Sequence, residues 1–283
     1  MNPALWGSLS ALSLGIADFA GRFSGRALGA DVAYFGVLLV GTIVVSAWVW
    51  SSDVALVWNL SHLWLVAICG VATALMTILL YTALVRGPVS VVAPIVASHP
   101  VLVLIFWVFM GARPDAIQWM AMSFTIVGVI VVARSGGDLI RTDRPGHFRT
   151  TLLIAGAACL AYTVLVIAGQ SAVPIYGNIQ TLWLSRIFGL GFLGIVFLLR
   201  AKGPVIPIRW WPLILVQGAL DSGGYLFLFV GSELDARHIA AVTASAFGAV
   251  TTILARVFLN ERMRIMQWIG VLCIFSGIAV LAI

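Results

Sequence analysis

The stretch Arg256–Ala282, "RVFLNERMRIMQWIGVLCIFSGIAVLA", decides the architecture. Moved back by 149 positions, from 256 to 107, it falls without a gap on Trp107–Ala133, "WVFMGARPDAIQWMAMSFTIVGVIVVA". Val257 and Phe258 meet Val108 and Phe109, and Arg262 meets Arg113. Gln267-Trp268 meet Gln118-Trp119, and Gly277, Val280 and Ala282 meet Gly128, Val131 and Ala133. A fixed period of this length marks a duplicated unit rather than a solenoid. Apolar bias alone scatters its matches and does not give an ungapped Arg-x4-Gln-Trp-x8-Gly pattern. The chain is two halves, read as 1–134 and 150–283 with a linker at 135–149.

Composition sets the class. Hydrophobic residues make up 62% of the 283, charged residues 9%, and mean hydropathy is +1.11. A soluble domain carries about a quarter charged residues, so the chain is an all-α integral membrane protein with the lipid bilayer as its solvent. Cys69, Cys159 and Cys273 lie inside apolar runs, are odd in number and lack metal spacing, so they read as small buried residues. No metal and no cofactor are expected. The N-terminus lacks a basic n-region, so the first apolar run is expected to be retained as a helix.

A spanning helix needs ~20 apolar residues, and ten runs qualify: 4–21, 32–50, 64–85, 89–110, 117–133, 151–170, 178–199, 211–231, 238–258 and 265–283. They are continuous rather than alternating, which excludes a closed barrel. Five crossings per half bring the second copy in from the opposite side, so the halves are expected to be inverted repeats, the architecture of transporters that alternate access around a site between them.

The net charge of +6 would fit nucleic acid, but its distribution fits membrane topology instead. Of the 16 Lys and Arg residues, only Arg113 and Arg237 fall on the side of the termini, and Arg186 lies within a helix. The rest, including Arg22, Arg134, Arg141, Arg144, Lys202, Arg209 and Arg262, share the other side. Basic loops stay in the cytoplasm. Both termini are therefore expected outside it, on the periplasmic side of a bacterial inner membrane, and no nucleic-acid partner is expected.

"GPVSVVAPIVASHPVLVLIFWVFMGARPDAIQW" (87–119), "FLNERMRIMQWIGVLCIFSGIAVL" (258–281) and Leu5-Trp6-Gly7 resemble the two EamA modules of the drug/metabolite transporter superfamily. The resemblance covers essentially the whole chain, and "NER…QWIG…SGI" is its most specific part. It implies a ten-helix secondary transporter, usually an exporter of small metabolites. The outward termini and aromatic interior make the chain similar to the YddG-type amino-acid exporters. The resemblance also implies that helices one, three, four, six, eight and nine surround the cavity. Two departures separate the halves: Glu261-Arg262 answers to Ala112-Arg113, and Pro100 answers to Ala249.

Ionisable residues inside a membrane are costly and need a partner, a cavity or a function. At ~1.5 Å per residue, His99 and Asp221 fall near the midplane, Arg186 slightly outward, and Asp18 toward the cytoplasmic end. Asp18 and Arg22, four apart, can pair on one helix face, as a structural tie or a gate. Gln217, Asp221 and Tyr225 form a polar stripe in "VQGALDSGGYLF". Two readings stay open there: a cavity wall, or a buried Arg186–Asp221 pair that ties two helices.

In the fourth run, Pro94 and Pro100 each release a carbonyl one turn earlier, near Ser90 and Val96. Beside this kink, Ser98 and His99 either line a cavity or bond within the bundle. Tyr34, Tyr81, Tyr162, Trp183 and Tyr225 lie within spans, and Thr73, Thr77 and Tyr81 form a second stripe. Tyrosine offers an apolar face with a polar tip, suited to a small organic solute. Tyr81, Ser98, His99, Tyr162, Gln217, Asp221 and Tyr225 are accordingly the expected cavity residues. Asp18, Arg22 and Arg186 are the expected intramembrane charges.

No phosphate loop, HExxH, paired intramembrane aspartates or G-x-S-x-G elbow is present, so an enzyme is not expected. The expected activity is export of small organic metabolites, amino acids including aromatic ones foremost, by a monomer. Rival readings are other solutes (drugs, purines, sugar-linked metabolites), a lipid-handling protein with a laterally open groove, or an intramembrane hydrolase.

Overall fold

The computed structural model describes residues 3–51, 55–111, 113, 115–137, 145–201, 203–232, 240, 243–261 and 263–281. Ala112, Arg141, Arg144, Lys202, Arg237 and Arg262 lie outside the described residues. Among those described, every regular element is helical: α1 (Pro3–Leu28), α2 (Ala30–Ser51), α3 (Leu63–Arg86), α4 (Val89–Ala97), α5 (His99–Phe109), α6 (Ala116–Gly137), α7 (Pro145–Tyr176), α8 (Asn178–Leu199), α9 (Trp211–Ser232), α10 (Phe247–Phe258) and α11 (Ile265–Leu281). Short 3-10 turns at Leu60–His62 and Ile208–Trp210 lead into α3 and α9. Lipid cannot satisfy backbone groups, and helices satisfy their own.

Seven of these spans are long and apolar enough to cross a bilayer: Ala30–Ser51, Leu60–Arg86, Val89–Phe106, Ala116–Arg134, Phe148–Tyr176, Asn178–Leu199 and Ile208–Gly231. Phe247–Phe258 and Ile265–Val280 are shorter apolar helices. α1 has length enough at 26 residues but carries Asp18, Arg22 and Arg26. It runs past the apolar stretch 4–21, so Arg22 and Arg26 sit on its last turns rather than in a loop. α7 likewise extends the run 151–170 at both ends, to Pro145 and Tyr176.

The run 89–110 is two helices, broken at Ser98. Pro100 has no N–H to offer and its ring collides with the backbone four residues earlier. Ser98 turns out of helical geometry at φ −78° and ψ 1°. Its hydroxyl donates to Ile95 O at 2.7 Å. Single glycines join α1 to α2 and α7 to α8. Gly29 (φ 88°) and Gly177 (φ 74°) take the left-handed conformation that side chains resist.

α3 packs on α7 and α8, α1 on α9 and α10, α2 on α9 and α8, and α4 on α10, while α6 and α11 pair chiefly with each other. Close approaches recur in twos. Gly70 of α3 rests on Ser185 O of α8, and Gly218 of α9 on Val37 O of α2; a Cβ on Gly218 would lie 2.8 Å from that oxygen. The Tyr81 ring covers Gly21, and the Phe229 ring covers Gly169. Between α6 and α11, a Cβ on Gly128 would meet Gly270 O at 2.7 Å, and one on Gly277 would meet Ala121 O at 2.7 Å. Small residues let helix backbones approach where no hydrophobic effect drives them together.

Candidate functional site

The deepest polar group joins α8 and α9. Arg186 Nη2 donates to Asp221 Oδ2 at 2.7 Å, with side chains only 3% and 6% exposed. Gly41 of α2 makes room for the guanidinium, since a Cβ there would lie 2.7 Å from Nη1 and overlap the Ser222 hydroxyl. The Tyr225 ring stands 5.8 Å from the guanidinium carbon. One turn before Asp221, Gln217 Nε2 donates to Ala17 O of α1 (3.1 Å) and to Tyr81 Oη of α3 (3.2 Å). Tyr81 meets Tyr34 edge-on at 6.2 Å. Helices from both ends of the chain thus share one centre.

Three buried atoms here make no hydrogen bond: Gln217 Oε1, and Arg186 Nε and Nη1. Each such group costs about 1–3 kcal/mol. Beside Arg186 lies a small cavity lined by Leu38, Thr73, Leu165, Leu182, Ser185, Arg186, Tyr225 and Phe229.

Ser98 and His99 face α7. The His99 ring stacks on Tyr162 at 4.0 Å and 11°, with Phe247 of α10 beyond it at 6.4 Å. His99 Nδ1 lies 3.3 Å from Val96 O, the carbonyl that Pro100 leaves without a helical partner. Ser98 Oγ sits 3.8 Å from Cys159 Sγ. Pro94 stays within α4, whose residues are all buried. A Cβ on Gly248 of α10 would meet Ala93 O at 2.9 Å, so α4 and α10 cross tightly beside the break.

Asp18 and Arg22 do not pair, contrary to what their i, i+4 spacing predicts. Arg22 Nη1 donates to Leu84 O (2.9 Å) and Gly87 O (3.0 Å), the carbonyls ending α3, and lies 3.5 Å from Glu261 Oε1. Glu261 in turn accepts from Val89 N and Ser90 N, both at 3.1 Å, capping α4 from the other half of the chain. A carboxylate suits a helix N-terminus, where free N–H groups and the positive end of the dipole meet it. Asn260 turns through the left-handed region (φ 52°) to place it, a conformation that asparagine tolerates. One end of the bundle is therefore clasped by Arg22 and Glu261.

Tyr81, Gln217, Asp221, Tyr225 and Arg186 come together at the centre, while His99 stacks on Tyr162 and Ser98 sits beside Cys159. Arg22 belongs to the clasp. Glu261 and Gly41 escaped the sequence reading of the site. Glu261 stands in the "NER" motif, but nothing local tells that it reaches α4, and Gly41 carries no signal at all.

Its apolar helices make the chain a multi-pass membrane protein that buries a charged and tyrosine-rich centre. The chain belongs to the EamA-like transporter family, which matches residues 1–134 and 149–283. It thus falls in the drug/metabolite transporter superfamily. The fold also resembles a crystal structure of another protein with a TM-score of 0.71 at 17% identity, over 98% of this chain and 97% of that one. No curated protein matches the chain.

Proposed function

We propose that this protein exports small organic metabolites, foremost amino acids including aromatic ones, by alternating access through its polar centre. In this reading ten crossings form two inverted five-helix repeats, 1–134 and 150–283, joined by a linker at 135–149. The protein works as a monomer in a bacterial inner membrane with its termini on the periplasmic side.

The doubled contacts support the repeat. A shift of 148 carries Gly21 and Tyr81 to Gly169 and Phe229, Val37 and Gly70 to Ser185 and Gly218, and Gly29 to Gly177. A shift of 149 carries Gly128 and Ala121 to Gly277 and Gly270. Each pair is exchanged, as a two-fold axis in the membrane plane requires.

The observation that carries the transport reading is that the centre is shared between the halves, α1, α2 and α3 meeting α8 and α9 around Arg186, Asp221 and Gln217. A site between repeats is opened to one side and then the other when the repeats rock. The clasp of Arg22 and Glu261 lies at the cytoplasmic end and holds that end shut. Uptake of labelled L-phenylalanine and L-threonine by proteoliposomes tests this. Saturable uptake above protein-free vesicles is expected. Failure with amino acids alongside uptake of an organic cation or a purine would move the assignment to another solute.

A further inference from the structure

Arg186 has more donors than the fold uses. A guanidinium carries five N–H groups and no acceptor. One nitrogen, Nη2, donates to Asp221 Oδ2 at 2.7 Å. Nε and Nη1 are buried without a partner, on a residue only 2% exposed. Gly41 of α2 leaves room for Nη1 and offers it no side chain. The nearby Ser222 hydroxyl spends its proton on Gly218 O at 2.7 Å.

These donors stand beside the small cavity. Its wall is drawn from α2, α3, α7, α8 and α9, so both halves of the chain meet there. Leu38, Leu165, Leu182 and Phe229 make most of it apolar. Thr73 and Ser185 are its aliphatic hydroxyls, and each donates within its own helix, to Cys69 O (2.7 Å) and to Leu182 O (2.8 Å). Among the described residues of this wall, the buried donors without a partner are those of Arg186.

Cationic donors beside an otherwise apolar cavity match a group that only accepts and carries negative charge. We propose that Arg186 receives the carboxylate of the transported solute through the donors that Asp221 leaves free. A carboxylate is acceptor-only, and its bonds to a guanidinium are among the strong ones. An ammonium there would set donor against donor. A solute that brings its own ammonium, as an amino acid does, adds no net charge to the membrane interior, where an unbalanced charge is costly. Asp221 is then a positioning residue that holds the guanidinium by one nitrogen. The repeat does not impose this chemistry. At a shift of 148 the counterpart of Arg186 is Leu38, so the carboxylate site occurs once.

This inference rests on the transport reading, and its test does not use transport. In purified protein carrying isotope-labelled arginine, magnetic resonance resolves the Nε–H signals. The Arg186 signal is the one missing from the double variant Asp221→Asn with Arg186→Gln. L-Phenylalanine should move it. L-Phenylalanine methyl ester, which keeps the ring and the amine and removes the anion, should not. In thermal-shift titrations the wild-type protein should bind the acid about tenfold or more tighter than the ester, the value of one charge-assisted hydrogen bond. The double variant should bind the two alike.

An Arg186 signal that neither L-phenylalanine nor L-threonine moves would overturn the proposal and leave those donors to a buried water. So would a signal that acid and ester move alike, or equal affinity of the wild-type protein for both. Because acid and ester are compared on wild-type protein, a poorly folding variant does not stop the test. Amino-acid uptake with an unmoved Arg186 signal would remove this inference only. A signal moved by the acid alone, without uptake, would keep the site and remove only the transport of that solute.

Discussion

Removing Asp221 alone should harm the fold more than removing it together with Arg186. The pair is 2.7 Å long and both side chains are almost fully covered. Asp221→Asn leaves the guanidinium with its charge, no anion and two donors that already lack partners. Breaking a buried pair from one side costs ~3–5 kcal/mol, while replacing both partners is often nearly neutral. At roughly 2–4 °C per kcal/mol for a chain of this size, Asp221→Asn in detergent should lower the melting temperature by roughly 6–20 °C. Asp221→Asn with Arg186→Gln should regain most of that. The double-mutant cycle of melting curves isolates the coupling. Wild-type melting of Asp221→Asn, or losses that simply add in the double variant, would refute the view that the pair ties α8 to α9.

Three further outcomes follow from the same geometry. Gly41→Val forces a side chain into the 2.7 Å approach to Arg186; overpacking costs ~1–3 kcal/mol, so melting should fall by several degrees and solute uptake with it, whereas Gly191→Val, where a Cβ meets nothing within 4 Å, should melt like wild type. Glu261→Gln keeps the size but weakens two charge-assisted bonds, each worth ~1.5–3 kcal/mol; a cysteine replacing Ser90 should then react faster with a thiol reagent applied at the clasped end. A periplasm-active reporter joined at the C-terminus should be active, and one inserted at Thr142 silent, with the reverse pattern inverting the topology.

Much of this is legible from short-range chemistry. Pro100 is enough to foresee the break at Ser98, because a missing N–H acts on its own helix. The recurrence of Gly128 at Gly277 is visible in the sequence as part of the repeat, but the packing of α6 on α11 that these glycines permit is seen only in the structure. The sequence offers the Arg186–Asp221 pair as one of two readings, because Arg186 is the basic residue within a span nearest Asp221 in depth. Asp18 and Arg22 show where such reasoning stops. Spacing of i, i+4 says that two side chains can meet, not that they will. Arg22 stands at the end of α1, where α3 ends in free carbonyls and Glu261 arrives from the other half of the chain. That competition is decided by contacts up to 239 positions apart (22 to 261), which no local pattern encodes.

The chemistry of the centre is also invisible to the repeat. Shifted by 148, Arg186, Asp221, Tyr34 and Tyr81 become Leu38, Thr73, Leu182 and Phe229, which are four of the residues lining the small cavity. The same scaffold thus carries Arg186, Asp221, Tyr34 and Tyr81 at one set of positions and the less polar Leu38, Thr73, Leu182 and Phe229 at the other.

Alternating access through this centre is tested most directly at Thr77, a buried residue one turn before Tyr81 on α3. In a chain lacking Cys69, Cys159 and Cys273, a cysteine at Thr77 meets a membrane-impermeant thiol reagent applied from one side of sealed vesicles at a time. Reaction is expected from either side, with Glu261→Gln speeding it from the clasped end and slowing it from the other, because opening one side closes the opposite one. Reaction from one side only, or rates that Glu261→Gln raises on both sides together, would contradict a rocking transporter and leave a fixed pocket or an open pore.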